Sequence, residues 1–355
     1  MRGRTTVSIL FVSLLLVVAL STTARAQSWS TLDSGVDSNL RGISAAKIPA
    51  TERIVIWASG SNGVILRSLD DGVTWSHLSV PGQPELDFRG IVAFDDKAAY
   101  LMSSGAGNKS RIYKTTDGGA TWDLQYTDVN NVFFLDSIAC SSRTNCFALG
   151  DPMNGKFLIV QTTDGQRWNP LPPQNLPTAL DKEGAFAASN SNLLVESENE
   201  LLIVTGGLAA RALHTADGGK SWTASPVPVA ADNASSGIFA VTIAEDGRLI
   251  AVGGDYANPG IALRVAAYSQ DHAKTWQSPA KQPAGYRCSV VPLEAETLVT
   301  VGITGSDISH DAGLHWTPFS LLALNALFKL DAQHIYAAGP KGTIAQLAAA
   351  PDSKQ

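Results

Sequence analysis

Apolar residues along this chain come in short runs separated by small and polar ones. "RGISA", "IVIWASG" and "GVILRS" form one group, and "FRGIVAF", "AAYLMSS" and "RIYKTT" form the next. Each run is rich in β-branched or aromatic residues and bounded by Gly, Asn, Asp or Ser, the pattern of strands joined by tight turns. No window sustains a helical period. The chain reads as all-β.

A short phrase punctuates the runs. S/T-x-D-x-G-x-T/S-W is intact at Ser68–Trp75, Thr115–Trp122 and Thr215–Trp222, and degraded at Thr162–Trp168, Ser269–Trp276 and Ser309–Trp316. The positions that recur in every copy are Asp70 and Trp75, Asp117 and Trp122, Asp164 and Trp168, Asp217 and Trp222, Asp271 and Trp276, and Asp311 and Trp316. In each, the carboxylate can accept backbone N–H groups, the glycine can take positive φ, and the hydroxyl can close the turn from the other side. The indole then packs on the hairpin and the next unit. Tryptophans recurring at 75, 122, 168, 222, 276 and 316 give the spacing of propeller blades, roughly 40 to 50 residues each.

Trp29 lies one period before Trp75, and "NALFKLDAQHIYAAGPKGTIAQLA" ends one strand short of a blade. The simplest closure pairs the segment around Trp29 with that last unit, making seven blades. Residues 27–347 then form one domain and 348–355 a disordered tail. Residues 1–26 have basic Arg2 and Arg4, an apolar run from Val7 to Leu20, and Ala24-Arg25-Ala26, the layout of a cleaved secretory signal; the run is too short to span a membrane. A periplasmic or secreted protein is expected, with no transmembrane segment after residue 26.

Formal charge is 26 − 32 = −6, and removing Arg2, Arg4 and Arg25 makes it 23 − 32 = −9. An acidic chain without a basic block does not suit nucleic acid. A monomer is expected.

The phrases resemble Asp-box (bacterial neuraminidase) repeats. "LRGISA", "WASGSNGVILRSLDDGVTW" and "FRGIVAF" are similar to the units of photosystem II stability/assembly factor-like propellers, in a bacterial exported branch. The resemblance implies a propeller scaffold that binds a protein or a small polar ligand, as in an assembly or stability factor of an envelope complex. The same superfamily contains glycoside hydrolases, so a divergent hydrolase is the alternative, with Asp136, Glu183, Asp151 or Asp255 as paired carboxylates. Some relatives are classed as oxidoreductases, a weaker alternative.

The candidate chemistry is sparse. Sialidases place an Arg in "R-I-P" ahead of the first box, and this chain has Lys47 in "AKIPA"; an ammonium does not reproduce the bidentate guanidinium clamp. "SSGAGNKS" lacks the glycines and helix of a phosphate loop, and "GGDYANPG" lacks dinucleotide spacing. The six histidines show no metal-ligand spacing. No catalytic residue, metal site or cofactor is therefore assigned. Cys140 and Cys146 flank a short hairpin, which in an exported chain predicts a disulfide and leaves Cys288 as a buried thiol.

One constellation remains. Aligning the starts of the inner strands places Arg41, Arg89, Asp136, Glu183, Gly237, Arg287 and Asn325 around one mouth of the central channel. Loops between second and third strands add Asp151, Arg211, Asp255 and Tyr256. The two functions open to this ring are ligand binding and a self-neutralising set of ion pairs that holds blades in register.

Overall fold

The computed structural model describes residues 27–128 and 132–348. The expected signal segment 1–26, and the expected tail apart from Ala348, lie outside the described residues. Among those described, the strands fall into seven sheets, six of four strands and one of five, arranged as a seven-bladed β-propeller. The helical pieces among them are two three-residue 3-10 turns, Gly107–Lys109 and Pro173–Asn175.

Blade one shows the common plan: Leu40–Lys47 innermost, then Ile54–Gly60, Ile65–Ser68 and Ser76–Leu78, each antiparallel to the last. Every residue of Ile54–Gly60 is buried, because a blade's second strand is covered on both faces by the neighbouring blades. That is why these strands read as continuous apolar runs and not as alternating ones. Between blades the packing is aromatic. Trp122 of blade two stands edge-on to Trp57 of blade one at 6.2 Å, and Trp168 of blade three to Tyr100 of blade two at 5.5 Å.

The repeated phrase folds as its residues predict. Asp70 Oδ1 accepts from the Thr74 backbone N–H at 2.9 Å and Oδ2 from the Thr74 hydroxyl at 2.6 Å, while the Ser68 hydroxyl donates to Asp70 and accepts from Gly72 N–H. The same web recurs around Asp117, Asp217 and Asp271. The degraded copies keep it by substitution. At Asp311 the ring of His315 takes the hydroxyl's place at 2.7 Å, and at Asp164 the shortened turn draws in Gln166 N–H and Arg167 N–H. Where the intact copy has Gly72 at φ +87°, the fifth copy holds Ala273 at φ +62°, a conformation costing an L-residue roughly 1–2 kcal/mol.

The ring closes through the N-terminal strand. Trp29–Leu32 pairs antiparallel with Ile344–Leu347 as the outer strand of blade seven, whose other strands are Ala326–Lys329 and Ile335–Ala338. Trp29 also reaches blade six, its indole N–H donating to Ser306 Oγ at 2.9 Å. Cys140 and Cys146, directly opposite each other on Leu135–Cys140 and Cys146–Met153, form a disulfide.

Two predictions come from this architecture. Deleting Gln27–Ser34 removes the closing strand and exposes the edge Ile344–Leu347; calorimetry should show Tm falling by several degrees, and an unchanged melting curve would contradict the closure. The second concerns acid. The carboxyls of Asp70, Asp117 and Asp271 are held down at about 2, chiefly by the hydroxyls of Thr74, Thr121 and Thr275 and then by those residues' backbone N–H groups. Folding lowers these values below the roughly 3.9 of a free Asp, so the unfolded chain takes up protons first. The stabilisation is complete above about pH 4 and is lost as pH falls toward about 2. Replacing Thr74, Thr121 and Thr275 together by Val should shallow the fall of Tm across that window; an identical acid limb would show that the hydroxyls do not carry it.

Candidate functional site at the channel mouth

In four blades the inner strand begins with a β-bulge that leaves one residue without a partner on the second strand. The unpaired residues are Arg41, Arg89, Asp136 and Phe239, each between two residues whose pairing register shifts. A bulge re-aims its side chain, and all four line one cavity of about 390 Å³ at the mouth. The small residues that follow are required locally. A Cβ on Gly42 would lie 2.4 Å from Ser59 Oγ, and one on Gly90 2.7 Å from Asn190 Oδ1.

Asp151, Tyr256 and Asn325 line the same cavity, so six of the expected mouth residues come together: Arg41, Arg89, Asp136, Asp151, Tyr256 and Asn325. Asn325 spans the blade seven to blade one seam, donating to Asn39 Oδ1 at 2.7 Å and to the Leu40 carbonyl at 2.8 Å.

The other expected mouth residues lie elsewhere, and each departure has a physical reason. Glu183 is not at the start of an inner strand; that strand of blade four is Leu193–Val195, and Glu183 belongs to Glu183–Gly184, which pairs with Gly206–Gly207. There it is buried against Arg211, which donates from Nε at 2.8 Å and Nη2 at 2.5 Å, so this acid and this base neutralise each other. Arg287 is one position out of register. Cys288 lines the cavity, while Arg287 turns into blade six and pairs with Asp307 at 2.5 Å, both side chains fully buried. Gly237 is displaced by the bulge, which brings Phe239 to the mouth. Asp255 organises its own loop, accepting from Ser235, Asn233, Asn258 and the Ala257 N–H; burial raises its carboxyl, but these bonds outweigh it and hold the group well below the ordinary range.

The chain between Glu183 and Leu193 enters the channel. Ala187 and Ala188 carbonyls accept from Arg89 Nη1 at 3.0 Å and Arg41 Nη1 at 3.4 Å. Below them, Asn190 exchanges hydrogen bonds with both backbone groups of Ile138, and Ser189 donates to the Cys288 carbonyl. Phe186 stacks on Phe239 with centroids 4.0 Å apart, and Tyr256 and Tyr286 meet Phe239 edge-on. Of this aromatic wall the sequence reading names Tyr256 alone, because Phe186, Phe239 and Tyr286 share no phrase that marks them.

The electrostatics are uneven. Arg89 is occupied by Asp87 at 2.7 Å. Arg41 forms no ion pair among the described residues, and burial, then the neighbouring Arg89, lowers its guanidinium's pKa. Asp136 is 1% exposed, and neither carboxylate oxygen meets a hydrogen-bond donor from the described residues. Burial, then repulsion from Asp151, pushes its carboxyl well above the usual range, partly opposed by Arg89. Burial raises Asp151 as well, against a bond from Ala185 N–H. Burial pushes the Cys288 thiol up to about 11, which makes it a poor nucleophile. Among the described residues no three His, Cys, Asp or Glu side chains gather where they would hold a metal. A larger cavity of about 490 Å³, beside His77 and Pro81–Pro84, has no Asp, Glu, Lys or Arg in its lining.

Fold and mouth together define a seven-bladed propeller with a dead-end polar and aromatic cavity. No family model matches the chain. It is 36% identical over 122 residues to the photosystem II assembly lipoprotein Ycf48 of Synechococcus sp. (strain CC9902), covering 31% of this chain and 34% of that one. It is 24% identical over 193 residues to the photosystem II assembly protein Ycf48 of Synechococcus sp. (strain JA-2-3B'a(2-13)), covering 44% and 54%. The chain thus matches between about a third and about half of the length of these curated relatives. A solved structure described as YCF48 bound to D1 peptide superposes with TM-score 0.64 at 15% identity, over 90% of this chain and 96% of that one. In sequence the chain resembles these photosystem II assembly proteins over the stretches matched, and in fold it is a propeller like the solved neighbour.

The buried pair in blade six generates a prediction. Arg287→Ala leaves Asp307 buried without its counter-charge, a change that typically costs about 3–5 kcal/mol. Urea unfolding should show that loss, and a change below about 1 kcal/mol would refute the structural role.

Proposed function

We propose that this chain is an exported, non-catalytic binding propeller that takes a segment of a protein partner into its mouth cavity, in the service of assembling or stabilising an envelope complex. The observation that carries this is Arg41, a guanidinium that lines the cavity and makes no contact ion pair among the described residues, Asp87 acting on it only from a distance. An acidic side chain or terminal carboxylate of a partner would supply the missing charge and accept two hydrogen bonds from one fork. The aromatic wall beside it offers the apolar contact that interface anchors use. The solved neighbour described as bound to a D1 peptide supports a peptide as the class of ligand. The secretory layout of residues 1–26 and the Cys140–Cys146 disulfide support export to an oxidising compartment.

Glycoside hydrolysis has one observation in its favour, two carboxyls with raised pKa in one cavity, a pattern that active sites share. Against it, Glu183 and Asp255 are engaged in their own bonds, leaving one pair in place of four candidates.

Arg41→Ala should weaken capture of the partner from envelope extract by about 1–3 kcal/mol, the usual worth of a charge-assisted bond, while Tm stays near wild type. Equal capture by the variant, or turnover in a glycan-hydrolysis screen that Asp136→Asn abolishes, would overturn the proposal.

A further inference from the structure

The Asp136 side of the same cavity poses a separate problem, the reverse of the one at Arg41. A buried carboxylate without a donor is among the costliest arrangements in a protein, and native structures almost always satisfy such groups. Asp136 stands 1% exposed on its bulge, lines the cavity, and receives no hydrogen bond from the described residues at either oxygen. Asp151 lines the same wall and repels it. The cation that acts on it, Arg89, makes no hydrogen bond to it and is engaged elsewhere, with Nε on Asp87, Nη1 on the Ala187 carbonyl and Cζ 6.0 Å from the centroid of Phe134. Across Arg41, Arg89, Asp87, Asp136 and Asp151 the mouth carries two guanidiniums against three carboxyls.

We infer that Asp136 and Asp151 form a receptor for an organic cation, a primary ammonium or guanidinium group that enters the cavity from the mouth. This rests on the mouth being the binding face. Such a group brings the charge and the two or three N–H donors that Asp136 lacks, and Phe134 and Phe186 supply aromatic surface beside it. A cavity of about 390 Å³ has room for one side chain and its stem, at the small end of ligand pockets. With Arg41 lining the same cavity, the site suits a segment that presents both a basic and an acidic group. When the cation docks, Asp136 gives up the proton that burial favours, so binding releases a proton to solvent.

The test uses small probes on the full chain: acetyl-lysine-amide, acetyl-arginine-amide and, as the neutral control, acetyl-Nε-acetyl-lysine-amide. Calorimetry in two buffers of different ionisation enthalpy should show saturable binding of at least one cationic probe with proton release, and none of the neutral control. Asp136→Asn should weaken that binding about tenfold or more, and Asp151→Asn severalfold. Both variants should fold, since Asn has the shape of a protonated Asp and at 151 keeps an oxygen for the Ala185 N–H, and their melting curves check this. Binding that is absent for both cationic probes, equal for the neutral control, unchanged in both variants, or replaced by binding of calcium chloride alone would overturn the inference. The probes contain no partner segment. Probe binding without partner capture would therefore leave the cation receptor standing while overturning the function proposed above.

Discussion

The seating of this propeller's blades depends on a contact that the three intact turns make with the blade before them. The turn is built so that its glycine lies flat against a neighbouring side chain. A Cβ at Gly72, Gly119 or Gly219 would come within 2.6, 2.6 and 2.8 Å of Leu32, Leu78 and Leu171 respectively. Each of those leucines ends or follows the outer strand of the preceding blade. The Asp carboxylate matters because it holds the backbone in the one shape that presents the glycine there. The contact also explains why closure involves more than a hydrogen-bonded edge. Leu32, on the N-terminal strand, is the residue that seats blade one's turn, so a single segment completes blade seven and anchors blade one.

That dependence made the fold legible from the sequence. A turn that must recur in each blade leaves a countable phrase, and a blade lacking an outer strand points to the only unpaired segment, around Trp29. The site was legible only where the inner strands keep one register. Arg41, Arg89, Asp136 and Asn325 were found because an apolar residue precedes each of them and an Ile or Leu follows two places on, at Ile43, Ile91, Ile138 and Leu327. In blade six the phrase "YRCSVV" invites alignment on its Arg. The pairing of Val290 with Thr300 instead aligns Cys288 with the mouth, and a slip of one residue turns a side chain to the other face. In blade four no alignment could succeed, because the chain leaves the sheet plane altogether before Leu193.

The ionic groups divide by the same logic. Arg287 with Asp307, and Arg211 with Glu183, are buried, geometrically complete pairs, each also bonded to backbone or hydroxyl partners. They fix local register and have no capacity left for a ligand. The groups that retain capacity are those on bulges. A bulge residue is re-aimed off the ladder, so Arg41 and Asp136 face an open cavity where a strand-interior residue would face the next blade. The polar lining of this mouth is therefore a consequence of backbone irregularity as much as of residue type.

The segment Ala185–Ser191 gives the channel its functional shape. It splits the axis into two cavities that share no lining residue, about 390 Å³ at the mouth and about 260 Å³ beyond, where Ser189, Asn190 and Ser191 form part of the wall. Asn190 is fixed by two bonds to Ile138 and would collide with any side chain at Gly90, so the plug is packed in place from blades two and three together. On the proposed function a ligand would enter by the mouth and end against Phe186, Ala187 and Ala188, a shape that would favour a chain terminus or a single projecting side chain. The floor also presents two carbonyls already engaged by Arg41 and Arg89, so both guanidiniums are oriented before anything binds, and little side-chain entropy remains to be lost when it does.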